Sequence, residues 1–134
     1  MDNTSMKHSY IIFALLVSGC VDSMPSYRVV HSDFVPHPEY DKAEFFAVYI
    51  DIPDSLKTDS SSYLRVSQDL VKKNNCNNKD VCMFLFYDEW VLTSGARFNI
   101  PFSRAEINNM IALYSDRNFE DQPEGLVICG MGRC

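Results

Sequence analysis

The chain has 134 residues, room for one domain, and its 46% hydrophobic, 22% charged and 13% aromatic composition is that of a folded globular protein. Eighteen acids against twelve bases leave a formal charge of -6. That balance excludes DNA or RNA as a partner, because phosphate binding needs a basic face, and it disfavours electrostatic docking on anionic lipid.

The first nine residues are polar, with Lys7 opposed by Asp2, and Tyr10 to Val17 is then an unbroken apolar run of eight residues. Eight residues fall short of the roughly 20 that span a bilayer, but they match the apolar region of a secretory signal. Small residues follow, and the string Val17-Ser18-Gly19-Cys20 resembles a bacterial lipobox, the cleavage and lipidation site of lipoproteins. The resemblance implies that residues 1–19 are a signal peptide and that Cys20 carries acyl chains, firm anchors when more than one is present. Val21 stands where an Asp would retain a Gram-negative lipoprotein at the inner membrane. The implied address is therefore the outer membrane, facing the periplasm. Residues 20–26 then form the lipidated cysteine and a tether, and residues 27–134 a single domain.

Within that domain Tyr27 to Phe34 reads as a strand, and Val35 to Lys42, with two prolines, as a loop. Phe45 to Ile52 is dense in aromatic and β-branched residues, as a central strand is, and Pro53 stops it. The segment from Asp59 to Asn75 has apolar residues at helical spacing (Tyr63, Val66, Leu70, Val71), with Thr58 or Asp59 as N-cap and Lys72 and Lys73 in the last turn. Val81 to Val91 is a second buried strand, so residues 45–91 read as a βαβ unit with parallel strands. Ser103 and Glu106 have capping-box spacing and predict one helical turn over 103–108. Ile107, Met110, Ile111 and Tyr114 also fit a helical stripe that would prolong this turn, whereas Met110 to Tyr114 read as a strand forms a hairpin with Leu126 to Cys129 around a polar loop; the hairpin is the preferred reading. The expected class is α+β: a mixed sheet of four or five strands with one main helix on one face, in a ferredoxin-like manner.

Cys76, Cys82, Cys129 and Cys134 remain beside Cys20, an even number that in an oxidising compartment predicts disulfides. The local pairing, Cys76–Cys82 and Cys129–Cys134, needs the least from the fold; cross-pairing between the two regions is the alternative. Their spacings suit neither zinc nor a redox dithiol.

No phosphate-binding loop, nucleophile elbow or zinc-protease motif is present, and no motif asks for a cofactor. The densest ligand-like stretch is His31, Asp33, His37, Glu39 and Asp41, although a solvated Pro-rich loop uses the same residues. Asp88 and Glu89 close the second strand of the βαβ unit, where sites gather in open α/β sheets. Asp116, Glu120, Asp121 and Glu124 crowd the loop between the last two strands, with Tyr114 and Phe119 as aromatic anchors beside a charged rim. The resulting expectation is a membrane-anchored, non-enzymatic protein-binding module of the immunity, inhibitor or exclusion type. Its partner surface is Asp116, Phe119, Glu120, Asp121 and Glu124. A small periplasmic hydrolase or metal-binding protein is the alternative.

Overall fold

In the computed structural model the chain is described over residues 24–35, 42–76, 80–116 and 125–129. It forms an α+β fold around one five-stranded mixed sheet. The strands are β1 (Tyr27–Val35), β2 (Lys42–Ile50), β3 (Asp80–Tyr87), β4 (Met110–Ser115) and β5 (Leu126–Ile128), and they lie in sequence order across the sheet. The pair β2–β3 is parallel and the other three pairs are antiparallel. The main helix α1 (Ser60–Lys73) joins β2 to β3, so the expected βαβ unit is present and one main helix packs on the sheet. A ferredoxin-like sheet would interleave a strand between such a pair. Here β2 and β3 are hydrogen-bonded neighbours throughout.

β2 and β3 read as continuous apolar runs because both of their faces are covered. On one face Phe46, Val48 and Ile50 of β2 and Cys82, Phe84 and Phe86 of β3 pack under Tyr63, Val66 and Leu70 of α1. On the other face Phe45, Ala47, Leu85 and Tyr87 pack under Val91 and Phe98, from a long excursion between β3 and β4. Residues 63, 66, 67 and 70 make the buried stripe of α1, at the 3.6-residue period. The Asp59 carboxylate caps its start by accepting from Ser61 N–H at 3.1 Å. Asn75, at φ 52°, ends it in the left-handed conformation that asparagine tolerates.

The second buried strand is shorter than expected, ending at Tyr87 and not at Val91. The Asp88 carboxylate accepts from Trp90 N–H at 3.0 Å, which turns the backbone out of the ladder and into the short helix α2 (Trp90–Thr93). The excursion then carries α3 (Arg104–Asn108), whose capping box between Ser103 and Glu106 is present in both directions. β4 and β5 form the expected hairpin, with Leu113 opposite Val127.

Candidate functional site

The strand directions sort the connections onto two ends of the sheet. Ser26 O accepts from Asp51 N–H at 2.8 Å, and Tyr27 lies opposite Ile50, so the chain enters where β2 and β3 finish. The segments from Asp51 to Asp59 and from Asp88 to Asn109 leave from this same end. At the opposite end β1 finishes, α1 returns to β3, and β4 runs out through Asp116 to come back at Gly125.

Where the parallel strands finish, a depression of about 300 Å³ is lined by Tyr49, Asp51, Asp54, Lys57, Asp88 and Glu89, among others. Both carboxylates expected at a site here lie on it. Lys57 Nζ is 2.8 Å from Asp54 Oδ1 and 3.3 Å from Asp88 Oδ2. The Lys57 hydrogen bond holds the Asp54 carboxyl below its usual range, and the Asp54 hydrogen bond raises the Lys57 ammonium. Asp88 is occupied through both oxygens, by Trp90 N–H and by Lys57. It therefore acts as a strut between the β2–α1 connection and the excursion. Beneath it Tyr63 donates to Lys57 O at 2.7 Å, and burial, with Asp88 nearby, pushes its phenol up to about 12.

Alongside, the excursion encloses about 370 Å³ between Trp90, Arg97, Asn99, Pro101, Ser103 and Glu106. Glu106 organises this wall. It is 5% exposed, and its Oε1 accepts from Arg97 N–H (3.0 Å) and Phe98 N–H (3.1 Å) while Oε2 accepts from Ser103 N–H (3.3 Å). Tyr87 Oη donates to Glu106 O at 2.9 Å. Phe98 stands at φ 48°, where a bulky side chain is strained. The Glu106 carboxylate and the burial of the Phe98 ring hold it there. Sequence reasoning found the capping box but not this second role, whose signal is an acid at N3 preceded by a turn-rich stretch.

At the opposite end Cys76 and Cys82 are disulfide-bonded, with Cα atoms 6.1 Å apart, across the turn that the local pairing anticipated. Cys129 is disulfide-bonded too, and Cys134 lies outside the described residues. Beside the Cys76–Cys82 bridge, Asp116 Oδ1 accepts from Cys82 N–H (2.9 Å) and Asp116 N–H donates to Cys82 O (3.0 Å). Ligating atoms of Cys76, Cys82 and Asp116 fall within 4.8 Å of one another, but both sulfurs are spent in the disulfide. Asp116 thus extends the β3–β4 ladder by one clasp and is half-buried. Tyr114, expected as a contact anchor, stacks on Phe84 at 5.8 Å and 9° and belongs to the core under α1.

The ligand-like stretch around His31 divides. His31 lies between Phe45 (5.9 Å) and Phe98 (5.7 Å), and its buried Nε2 has no hydrogen-bond partner among the described residues. Asp33 accepts from its neighbour Phe34 N–H at 2.8 Å. The structure thus uses His31 as packing between the edge strand and the excursion. His37, Glu39 and Asp41 lie outside the described residues, as do Phe119, Glu120, Asp121 and Glu124 of the expected partner surface, and the whole segment 1–23 with Cys20. No helix among the described residues is long and apolar enough to cross a membrane. No known protein family, curated protein or solved structure matches the chain.

Proposed function

We propose that this chain is a bacterial envelope lipoprotein, tethered through Cys20 at the outer membrane. Its small acidic domain binds a protein partner through the end remote from the tether, without catalysis. The observation that carries this reading is the polarity of the sheet. The chain enters beside Asp51, whereas the β4–β5 connection, with its acidic residues, departs from Asp116 and returns at Gly125 at the other end. A tether on one end and a charged connection on the other is the arrangement of a module held on a surface and presented away from it. The Cys76–Cys82 bridge supports export, since such bonds persist in oxidising compartments. The occupation of Asp88 by Lys57 and Trp90 favours binding over acid–base chemistry.

Two experiments test the reading. Cys20→Ser abolishes palmitate labelling and leaves an uncleaved precursor; unchanged labelling removes the anchor. The acylated chain on vesicles captures a basic protein from envelope extract at low salt, and Glu120→Gln, Asp121→Asn and Glu124→Gln together slow that capture through the association rate. Asp116 is kept because its carboxylate holds Cys82. Capture indifferent to both salt and these substitutions removes the acidic connection from the mechanism.

A further inference from the structure

Three side chains with metal-ligand chemistry meet at the end of the sheet remote from the chain's entry: Cys76 after α1, Cys82 on β3 and Asp116 just past β4. Their ligating atoms fall within 4.8 Å of one another. The spacing of the two cysteines suits no zinc motif, and the third member lies 34 residues beyond Cys82, so only the fold assembles the set. The backbone that carries these side chains is fixed without the bridge. Cys76 N–H donates to Val71 O at 3.2 Å, in the last turn of α1, and Cys82 is paired in the ladder opposite Glu44 of β2. The Asp116 carboxylate accepts from Cys82 N–H at 2.9 Å, while Asp116 N–H donates to Cys82 O at 3.0 Å. Held to the backbone through one oxygen, this carboxylate is oriented as outer hydrogen bonds orient metal ligands. Cys129, also disulfide-bonded, packs on the opposite face of the sheet and takes no part.

We propose that reduction of the Cys76–Cys82 bridge by a dithiol turns this corner into a zinc site, with the two thiolates and the Asp116 carboxylate as ligands. The site goes beyond the partner-binding reading and stands whether or not Cys20 is acylated. A thiolate of the reductant attacks Cys76, the half-buried member of the pair, and Cys82 leaves as the thiolate. The second thiol of the reductant resolves the mixed disulfide, so the reductant ends as its own disulfide and the chain holds two reduced sulfurs. Zinc then displaces the two thiol protons into water. Two thiolates on a tetrahedral zinc lie about 3.8 Å apart. Cα atoms 6.1 Å apart allow that separation by side-chain rotation, with the β3–β4 pairing unmoved. Two soft sulfurs and one oxygen suit Zn²⁺ and select against Mg²⁺ and Ca²⁺, which take oxygen donors. Three protein ligands leave the fourth position to water.

The test uses the full chain, either oxidised or reduced with dithiothreitol and freed of it by gel filtration without oxygen, with Co²⁺ and Zn²⁺ as probes. The reduced chain is expected to take up the ion in equal stoichiometry, to show cobalt–thiolate charge-transfer absorption that Zn²⁺ bleaches, and to melt at a higher temperature with Zn²⁺ than without. Zn²⁺ should slow alkylation of Cys76 by iodoacetamide about ten-fold, read by peptide mass, and leave Cys129 as reactive as before. The oxidised chain is expected to show none of these effects. Asp116→Asn keeps an acceptor for Cys82 N–H but removes the anionic ligand, so it should weaken Zn²⁺ binding roughly ten-fold with the fold unchanged. No uptake by the reduced chain, or a reduced chain that unfolds and that Zn²⁺ does not refold, overturns the site. Equal uptake by the oxidised chain, protection of Cys129 in place of Cys76, or undiminished affinity in Asp116→Asn overturns the ligand assignment.

Discussion

Replacing Glu106 by alanine removes the acceptor from three backbone N–H groups at once, those of Arg97, Phe98 and Ser103. Hydrogen bonds to a charged group contribute about 1.5–3 kcal/mol each, and a buried donor left unmade costs about 1–3 kcal/mol. Relaxation of the excursion lets water reach some of these donors, so the expected loss for Glu106→Ala is about 4 kcal/mol. Glu106→Gln separates charge from shape. Its amide oxygen keeps the bonds from Arg97 and Phe98 as neutral ones, and its amide nitrogen meets Ser103 N–H donor to donor, for a loss of about 2 kcal/mol. Urea unfolding followed through Trp90 reads the totals. Hydrogen exchange at Arg97, Phe98 and Ser103 reads whether the excursion opens by itself, as segments of lower local stability do. Two variants within about 0.5 kcal/mol of the parent, with unchanged exchange at those amides, would refute the assignment of Glu106 as the pin of the excursion.

Alkaline titration should leave Tyr63 un-ionised well past its ordinary value of 10, because burial raises it to about 12, and burial likewise raises Tyr87. A phenol whose folded value lies above its unfolded one stabilises the fold fully below pH 10 and loses that contribution as pH rises towards the folded value. Tyrosinate absorbance should therefore show a late phase that coincides with unfolding, and Tyr63→Phe should delay that unfolding. Ser67→Ala should stabilise by about 1 kcal/mol in thermal melts, since Ser67 is fully buried, its Oγ has no partner among the described residues, and alanine is the better helix former. Reduction of the Cys76–Cys82 bridge, or Cys76→Ser with Cys82→Ser, should cost about 2 kcal/mol in urea, the value for so short a loop; an unchanged midpoint contradicts it.

What was legible in the sequence follows from how local each cause is. β2 and β3 were readable because burial on both faces leaves unbroken apolar runs, and α1 because Asp59 and the 63–66–70 stripe act within one helix. The Cys76–Cys82 bridge was readable for the same reason: it closes a single helix-to-strand turn. The illegible features join distant positions. Lys57 meets Asp88 across 31 residues, and Glu106 reaches back eight and nine positions to Phe98 and Arg97. Tyr114 shares the parity of Ala112 on β4 and so lies on the face under α1, which its place beside an acidic stretch does not reveal. The candidate site was legible only in part. Asp116 could be seen to border an acidic stretch, but its two bonds to Cys82 depend on the β3–β4 register.

That register also explains why interactions belong at the ends of this sheet. Both faces are used, one by α1 and the other by the excursion. Strand edges are the remaining place where a partner adds to a sheet, and proteins guard them with bulges, charges and short strands. On β1 the pairing with β2 slips between Val29 and His31, a bulge that twists the edge, and Asp33 covers Phe34 N–H with its own carboxylate. β5, on the other side, is three residues long. With faces covered and edges blunted, a partner meets this domain through its connections. One connection leaves at Asp116, whose backbone and carboxylate clasp Cys82 of the Cys76–Cys82 bridge, and returns at Gly125.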